Sequence, residues 1–439
     1  MVASAVFHHK VKTFILKIHL LKIYHKKTNS YQMSEINRII FIKDTLFTKR
    51  DYDRFGVALL QKNGFSVDIW EITPVLHQEI LGRLDISQRV TCENFTLFSD
   101  IKSLKDAINS LDRSTIVHLL IPFTYQTLPI FFALSKKGIY TSTTSLGAVP
   151  VPKVYETEHW VSRLLFKGKS IFRYSVKRNF STVVNQFLLK NYRLFGLKPL
   201  TICLAGGTKS TNPLLLQFPH DSSTKIVWGH SFDYDYYLIL REELVDSEED
   251  YGVFIDQNLP FHPEHLYCDI IRVTSPEDYY PVINSFFSRL EQECKCPIII
   301  AAHPTTNPES AELYFHGRKI VYGNTARLIR NARFVLTHDS TALNFALLFK
   351  KPLLFFTTNA LEQSIIQQDI DMIAGLLKKE PVNANTAVDF HCFSDLYFNT
   401  AAYEQYISDY IKTKNSPDAP LWQIYADAVR QLDDPARVK

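Results

Sequence analysis

Four hydrogen-bonding side chains stand together where a buried strand is expected to end and a helix to begin. They are His338, Asp339, Ser340 and Thr341, in the stretch "FVLTHDSTALNFALLF". A Ser or Thr hydroxyl caps the first turn of a helix, and the free backbone N–H groups of that turn attract an anion. Because Ser and Thr are also ordinary helix caps, this segment alone does not distinguish a phosphate site from a cap.

Two further polar corners follow apolar runs of strand length in the same half of the chain. "IIIAAHPTT" places His303 and Pro304 after the first run, and "IVYGNTARL" places Asn324 and Thr325 after the second. Ligands of open parallel sheets bind beyond the carboxyl ends of the strands. We therefore predict a phosphate held at the Ser340 helix and contacted by His303, with no catalytic metal and no glycine-rich loop.

The elements that position these corners alternate between strands and helices, which is the pattern of parallel α/β sheets. In the first half, strands are predicted over residues 38–43, 65–73, 114–122, 138–145, 200–207 and 225–240, with helices over 52–63 and 128–136. In the second half, strands are predicted over 251–258, 296–304, 318–323, 333–339 and 351–358, with helices over 277–294, 324–332 and 340–349. The predicted fold is α/β, with two Rossmann-like parallel-sheet domains facing a cleft.

The domain boundaries follow from breaks in this alternation. The acidic segment "REELVDSEEDYG" interrupts the apolar pattern and is typical of a linker. We expect an N-terminal acceptor-side domain over 33–245, a C-terminal nucleotide-sugar-binding domain over 246–400 and C-terminal helices over 401–439. Residues 1–32 form a basic extension ahead of the first strand.

Composition narrows the function classes. The chain has 439 residues, of which 46% are hydrophobic and 21% charged, so it is long enough for two packed domains and is not disordered. Its six cysteines lack paired spacing, which predicts reduced thiols in the cytoplasm. No run approaches 18 apolar residues and no signal-peptide cleavage pattern follows the N-terminal apolar run, so a cytoplasmic protein is expected.

Charge is unevenly distributed along the chain. Residues 1–32 carry six lysines and no acid, so the rest of a chain with a net charge of +4 carries −2 and is not a generic nucleic-acid binder. The extension alternates apolar and basic residues, which is compatible with an anionic membrane surface or with a poorly ordered, dispensable segment. Both interpretations stay open.

A second basic stretch forms an insertion over residues 158–198. Aromatic side chains are interleaved with its lysines and arginines, and no acid follows Glu158 within it. This composition favours peripheral contact with the anionic inner face of a cytoplasmic membrane or with an anionic lipid-linked substrate. The alternative is a solvated basic helix pair with its aromatic residues in the core.

The C-terminal half resembles the donor domain of GT-B glycosyltransferases that act on bacterial surface polysaccharides. The resemblance rests on His303-Pro304 followed by "GNTARLIRNARFVLTHDSTALNFALLFKKPLLFF", over roughly residues 250–358. It is similar in particular to the sialyltransferase and Kdo-transferase-like groups, whose His-Pro and Ser-Ser/Thr motifs hold the phosphate and cytidine of a CMP-sugar. His303-Pro304 matches the first motif and Ser340-Thr341 the second. Lys350 stands where the usual "GKP" turn has Gly.

This resemblance implies a metal-independent glycosyltransferase. Its substrates would be a nucleotide-sugar donor, preferably a CMP-activated nonulosonic acid or Kdo, and a glycan or lipid-linked acceptor such as a capsule or lipopolysaccharide precursor. No separate cofactor is expected. Such a reaction needs charge stabilisation at the leaving phosphate and a base for the acceptor hydroxyl.

Candidates for the base and for further donor contacts come from loops that follow predicted strands. Asp44 and Asp51 follow the first strand and Asp256 follows another, so these three are the predicted catalytic acids. Gly206 and Gly207 permit close backbone approach to an anionic sugar, next to Thr208. The "DYD" at 233–235 lies in a run dense in tyrosine and is interpreted as packing at the domain junction.

Two other functions remain compatible with the sequence. A nucleotide-sugar epimerase of the same two-domain shape would need carboxylates grouped tightly in the cleft, which the sequence does not reveal. A non-catalytic polysaccharide biosynthesis or export protein would keep the fold without the chemistry.

Overall fold

The protein contains two open parallel sheets, as predicted. The computed structural model describes residues 36–146, 150, 176–212, 216–243, 250–262, 273–364, 366–386 and 397–433. Seven described strands form the first sheet in the order β3-β2-β1-β4-β5-β6-β7, and six form the second in the order β10-β9-β8-β11-β12-β13. The α/β fold class with two Rossmann-like domains is confirmed.

The first sheet is built from short, mostly buried apolar runs, which pair in parallel through helical crossovers. Its strands are β1 (Arg38–Lys43), β2 (Ser66–Glu71), β3 (Phe95–Leu97), β4 (Thr115–Leu120), β5 (Tyr140–Ser145), β6 (Ile202–Ala205) and β7 (Lys225–Trp228). The helices along this part of the chain are α1 (Lys49–Arg54), α2 (Val57–Lys62), α3 (Thr73–Leu76), α4 (Ile101–Ser110), α5 (Leu128–Lys137), α6 (Val176–Lys190) and α7 (Phe232–Arg241).

The second sheet has the same construction and a core rich in Phe and Tyr. Its strands are β8 (Gly252–Ile255), β9 (Ile298–Ala301), β10 (Ile320–Val321), β11 (Phe334–Thr337), β12 (Leu353–Thr357) and β13 (Val382–Asn383). The helices are α8 (Pro276–Cys294), α9 (Pro308–Tyr314), α10 (Thr325–Asn331), α11 (Leu343–Leu348), α12 (Asn359–Glu362), α13 (Ile366–Leu376), α14 (Thr400–Tyr406) and α15 (Leu421–Arg430).

Strand order reverses once in each sheet, between β1 and β4 and between β8 and β11. At such a reversal the connections leave in opposite directions, and a crevice opens beyond the carboxyl ends of the two strands. The polar corners after β8 and β11 therefore flank the crevice of the second domain.

Two helix predictions and one strand prediction need correction. The helix expected over 52–63 is two helices, because Gly56 takes a left-handed φ of 57° and a Cβ there would lie 2.5 Å from the Trp422 ring. The strand expected over 225–240 ends at Trp228. Residues 232–241 form α7 instead, with Tyr234 and Leu238 buried one helical turn apart. The helix expected from Ser340 begins at Leu343.

The described C-terminal residues, 397–433, pack in both domains. Helix α14 and the following π-helical turn, Ile407–Ile411, pack in the core of the second domain. Helix α15 packs in the core of the first domain, where Trp422 and Tyr425 are buried. The Tyr425 hydroxyl lies 2.6 Å from Ser142 Oγ, which in turn lies 3.0 Å from Nδ1 of the buried His118.

Gly206 and Gly207, which follow β6, lie against the backbone of the Ile407–Ile411 turn. A Cβ on Gly207 would lie 2.3 Å from the backbone of Asp409, and the Thr208 hydroxyl donates to Asp409 Oδ1 at 2.8 Å. The predicted close backbone approach at Gly206 and Gly207 is present, but it accommodates the π-helical turn. We therefore assign Gly206, Gly207 and Thr208 to the junction between the domains, in place of the predicted sugar contact.

We expect Gly207→Ala to destabilise the protein by about 1 to 3 kcal/mol, because the new methyl group overlaps fixed backbone atoms. Gly82→Ala is the matched control, since a Cβ there meets nothing within 4 Å. Chemical denaturation of both variants measures the difference. Equal midpoints for the two variants would contradict the close contact described here.

Candidate functional site

The turn after β9 holds the His303 imidazole through contacts with Thr305. The Thr305 backbone N–H donates to His303 Nδ1 at 3.3 Å, and the Thr305 hydroxyl lies 2.8 Å from the same nitrogen. Because Nδ1 accepts a backbone hydrogen bond, the ring proton of neutral His303 belongs on Nε2. His303 is therefore oriented as a donor through Nε2.

The charges that act on His303 are all positive or become so on protonation. Its ring centroid lies 5.0 Å from that of His262, and the guanidinium of Arg50, from α1 of the first domain, acts on it across the crevice. Burial, followed by His262 and Arg50, lowers the pKa of His303 to about 4. His303 is therefore neutral near pH 7 and can donate its Nε2–H to an anion without first gaining a proton.

Asp256, one of the predicted catalytic acids, is a buried structural carboxylate. It is 2% exposed; Oδ1 accepts from the Asn258 N–H at 2.9 Å and Oδ2 from the Thr306 hydroxyl at 3.0 Å. Burial raises the pKa of Asp256, and backbone donors, including those of His303 and Gln257, oppose that rise. Asp256 thus shapes the turn that carries His303 and presents no free oxygen to an acceptor.

The four polar residues after β11 have different environments, since His338 lies in the core and the next three lie toward the crevice. His338 is fully buried, with Nδ1 2.7 Å from the Phe356 carbonyl oxygen and Nε2 2.9 Å from the Tyr279 hydroxyl. It lies in the core, away from the predicted nucleotide site. Asp339 is half-buried and accepts from Gln257 Nε2 at 2.7 Å, which joins the ends of β8 and β11.

Ser340 and Thr341 follow at the mouth of the crevice. Ser340 Oγ accepts from the Ala342 N–H at 3.3 Å, and Thr341 is exposed. Since α11 starts only at Leu343 and has six residues, these hydroxyls belong to a turn and not to a long helix terminus. Both remain available for a ligand at the strand end.

The third predicted corner lies at the edge of the second sheet. Asn324 precedes α10 without a side-chain capping bond and is exposed, and Thr325 is half-buried. Tyr322, just before them, is 40% exposed. Burial, followed by the charges of Glu312 and Asp256, raises the pKa of Tyr322.

Asp369 is a carboxylate that the sequence analysis missed. It lies on α13, and burial followed by the nearby charge of Asp339 raises the pKa of Asp369 to about 6. Two acids that approach each other beside a strand-end crevice can accept hydrogen bonds from the hydroxyls of a sugar ring. No local pattern identifies Asp369, because its neighbour Asp339 lies on another element.

In the first domain, Asp51 and Asp44 have different surroundings. Asp51 forms a capping box with Thr48, whose N–H and hydroxyl donate to Oδ2 at 2.9 and 2.8 Å, and Lys43 Nζ lies 3.4 Å from the same oxygen. Asp51 is therefore committed to the start of α1. Asp44 is half-buried after β1, with Oδ2 3.6 Å from His77 Nε2. It remains a candidate base.

The "DYD" segment proves to have two roles. Asp235 accepts from the Leu421 N–H at 3.0 Å, which joins α7 to the start of α15. Asp233 instead faces the second domain, where Asn344 Nδ2 donates to its Oδ2 at 2.9 Å. Burial raises the pKa of Asp233, while Asn344, Arg54 and Arg50 oppose the rise. The charge of Arg50 thus acts on both Asp233 and His303.

The described groups include one fixed cation, Arg50, the imidazole of His303, and two carboxylates of raised pKa, Asp233 and Asp369. Such an arrangement can bind an anion, accept hydrogen bonds from hydroxyl groups and remove a proton. Among the described residues, no group of three or more His, Cys, Asp or Glu side chains is placed to hold a metal ion. In the same part of the chain, no helix has the length and apolar character needed to cross a membrane.

We expect Asp256→Ala to lower stability by about 3 kcal/mol, because it leaves the Asn258 N–H and the Thr306 hydroxyl buried without an acceptor. Asp44→Ala, on the rim, is expected to change stability by no more than about 0.5 kcal/mol. Denaturant titration of the two variants provides the comparison. Comparable losses in both would contradict the assignment of Asp256 to the scaffold.

Comparison with known proteins gives structural similarity only. No protein-family model and no curated protein matches the chain. Similar solved structures include Staphylococcus aureus MnaA with UDP (14% identity, TM-score 0.44, covering 90% of this chain and 97% of that one). The UDP-GlcNAc 2-epimerase of Methanocaldococcus jannaschii has 11% identity and a TM-score of 0.41, with 89% and 99% covered. CalG4, the calicheamicin glycosyltransferase, has 11% identity and a TM-score of 0.42, with 84% and 92% covered. Similarity at this level assigns no activity.

Proposed function

We propose that the protein is a metal-independent glycosyltransferase that transfers a sugar from a nucleotide donor to a glycan or lipid-linked acceptor. The proposal is carried by His303, which follows β9, packs 5.0 Å from His262 and experiences the charge of Arg50 from the first domain. A nucleotide phosphate is the ligand that one arginine and an imidazole N–H donor at a strand-end crevice suit.

The donor contacts follow from the groups around that centre. The Nε2–H of His303 and the guanidinium of Arg50 stabilise negative charge as the phosphate leaves, without a metal. Ser340 and Thr341 donate hydroxyl hydrogen bonds to the same phosphate. Asp339 and Asp369 accept from the ribose hydroxyls, which accounts for a pair of acids beside an anion site.

For the donor base we propose cytosine, in a CMP-activated sugar. The support is the resemblance of His303-Pro304 and Ser340-Thr341 to the motifs of CMP-sugar transferases, together with the position of both pairs at the crevice. The exposed ring of Tyr322 is available to stack on the base.

Asp233 is the carboxylate best placed to accept the proton of the acceptor hydroxyl. It lies where the two domains meet, and its raised pKa makes it a stronger base than an exposed aspartate. Arg50, which acts on both Asp233 and His303, links this base to the leaving phosphate. Asp44, with His77 beside it, is the alternative base on the first domain.

The competing epimerase function has less support. Removal and return of a proton at one carbon requires acids grouped around the sugar. Of the predicted catalytic acids, Asp51 is committed to a capping box and Asp256 is buried. A non-catalytic binding protein would show the same nucleotide affinity without turnover.

Calorimetric titration of CMP and UDP tests the phosphate site. His303→Gln is expected to weaken binding by about 1 to 3 kcal/mol, because it removes an oriented donor to the phosphate. Ser340→Ala with Thr341→Ala should have an effect of similar size. His316→Gln, at an exposed histidine elsewhere in the second domain, is the matched control. Unchanged affinity in folded His303→Gln protein would overturn the proposed site, and tighter binding of UDP would overturn the choice of cytosine.

Release of CMP from a CMP-sugar, measured with a glycolipid extract as acceptor, tests catalysis. Asp233→Asn should abolish release while retaining CMP affinity, because the base does not contact the nucleotide. A loss confined to Asp44→Asn would assign the base to Asp44. CMP binding by the wild type without any release would support the non-catalytic alternative.

A further inference from the structure

The first domain carries a cluster of exposed apolar side chains on α5, α6 and the turn that follows α6. The exposed fractions are 47% for Phe132, 66% for Val183, 58% for Phe187, 84% for Leu194 and 39% for Phe195. These five residues define the apolar patch. Burial of such side chains is favourable, so a continuous group of them indicates a contact surface.

The patch is continuous and fixed to the domain. The Phe187 and Phe195 ring centroids are 6.3 Å apart, and a Cβ built on Gly196 would lie 3.9 Å from the Phe132 ring. The opposite side of α6 packs on the core through the buried Leu188, so the helix presents two apolar sides. One side is covered by the domain, and the patch is the other.

Basic residues border the patch without matching acids. Lys136, Lys137, Lys190 and Lys198 are exposed, and within the described residues they form no ion pair. Arg193 pairs with Asp221 at 2.5 Å. The described residues between 128 and 198 include no Asp or Glu, so the described border of the patch is positive.

We propose that the apolar patch and its four lysines form a docking surface for an anionic lipid bilayer. Apolar side chains enter the headgroup region while lysines at their border remain at the lipid phosphates. The bilayer thus buries the apolar side chains and pairs the lysines with negative charge. A second copy of the chain would bring a like-charged border into contact. A nucleic acid would engage the lysines but offers little to Leu194 and Val183.

The position of the surface leaves the crevice open. Lys137 and Phe195 lie shortly before β5 and β6 begin, whereas the nucleotide site lies beyond the carboxyl ends of strands. Docking therefore keeps the protein at a membrane without covering the site. The inference does not depend on the proposed activity, since it rests on a different surface.

Co-sedimentation of the full chain with phosphatidylcholine vesicles, with and without phosphatidylglycerol, tests the proposal. Wild-type protein should sediment with the anionic vesicles and much less with the neutral ones. Lys190→Gln with Lys198→Gln should reduce binding by about fivefold for each lysine. Lys62→Gln with Lys105→Gln, at exposed lysines away from the patch, is the control and should retain binding.

The apolar contribution is tested separately. Phe187→Ser with Leu194→Ser should reduce anionic-vesicle binding by about tenfold or more. Leu313→Ser, at a side chain that is 78% exposed in the second domain, should retain it. Melting curves confirm that the variants fold. Equal sedimentation with neutral and anionic vesicles would overturn the proposal. A second outcome would also overturn it: wild-type protein that does not bind vesicles but self-associates, with the self-association abolished in the patch variants. The patch would then be an interface between copies.

Discussion

The geometry of the site depends on the Asp256 carboxylate. Withdrawing a carboxylate from water costs several kcal/mol unless donors replace the lost hydration. Here the Thr306 hydroxyl and the backbone of Asn258 supply them, assisted by the backbone of His303 and Gln257. Each donor that offsets this cost belongs to a strand end around the crevice. The interactions that make the buried charge tolerable also fix the turn bearing His303.

The same network extends toward the ligand side of the crevice. Gln257, next to Asp256, bonds to Asp339, and Asp339 raises the pKa of Asp369. The scaffold is therefore continuous with the acids proposed to hold the ribose. On the other wall, Arg50 depends on the Thr48–Asp51 capping box that starts its helix. The return of α15 to the first domain joins the two walls, because one chain segment packs in both cores.

Most strands could be predicted because a buried parallel strand needs a short apolar run with a polar corner after it. The runs at Ile298–Ala301 and Phe334–Thr337 satisfy this requirement locally. The return of α15 could not be predicted, because an amphipathic helix does not specify which domain it will cover. The turn before β12 needs a left-handed residue, which is usually Gly in the "GKP" turn. Here Lys350 takes that conformation, with a φ of 54°.

The roles of the carboxylates were harder to predict than the strands. Sequence places Asp44, Asp51 and Asp256 alike, each after a strand, but their partners decide what they do. Thr306, fifty residues from Asp256 along the chain, determines that Asp256 is structural. In the same way, the hydrogen bond from Asn344 to Asp233 gives Asp233 a different environment from Asp235, two residues away. At Gly207 the sequence indicated a close approach by a sugar, whereas the close neighbour in the structure is the backbone of Asp409, from a distant segment.

A double-mutant cycle with Arg50→Gln and His303→Gln, with CMP affinity measured by calorimetry, tests most directly whether one phosphate contacts both domains. If both side chains contact the same phosphate, their effects are coupled, and the cycle should give an interaction energy of about 0.5 to 3 kcal/mol. Effects that add within about 0.3 kcal/mol, or an Arg50→Gln variant with wild-type affinity, would contradict a site that spans the crevice.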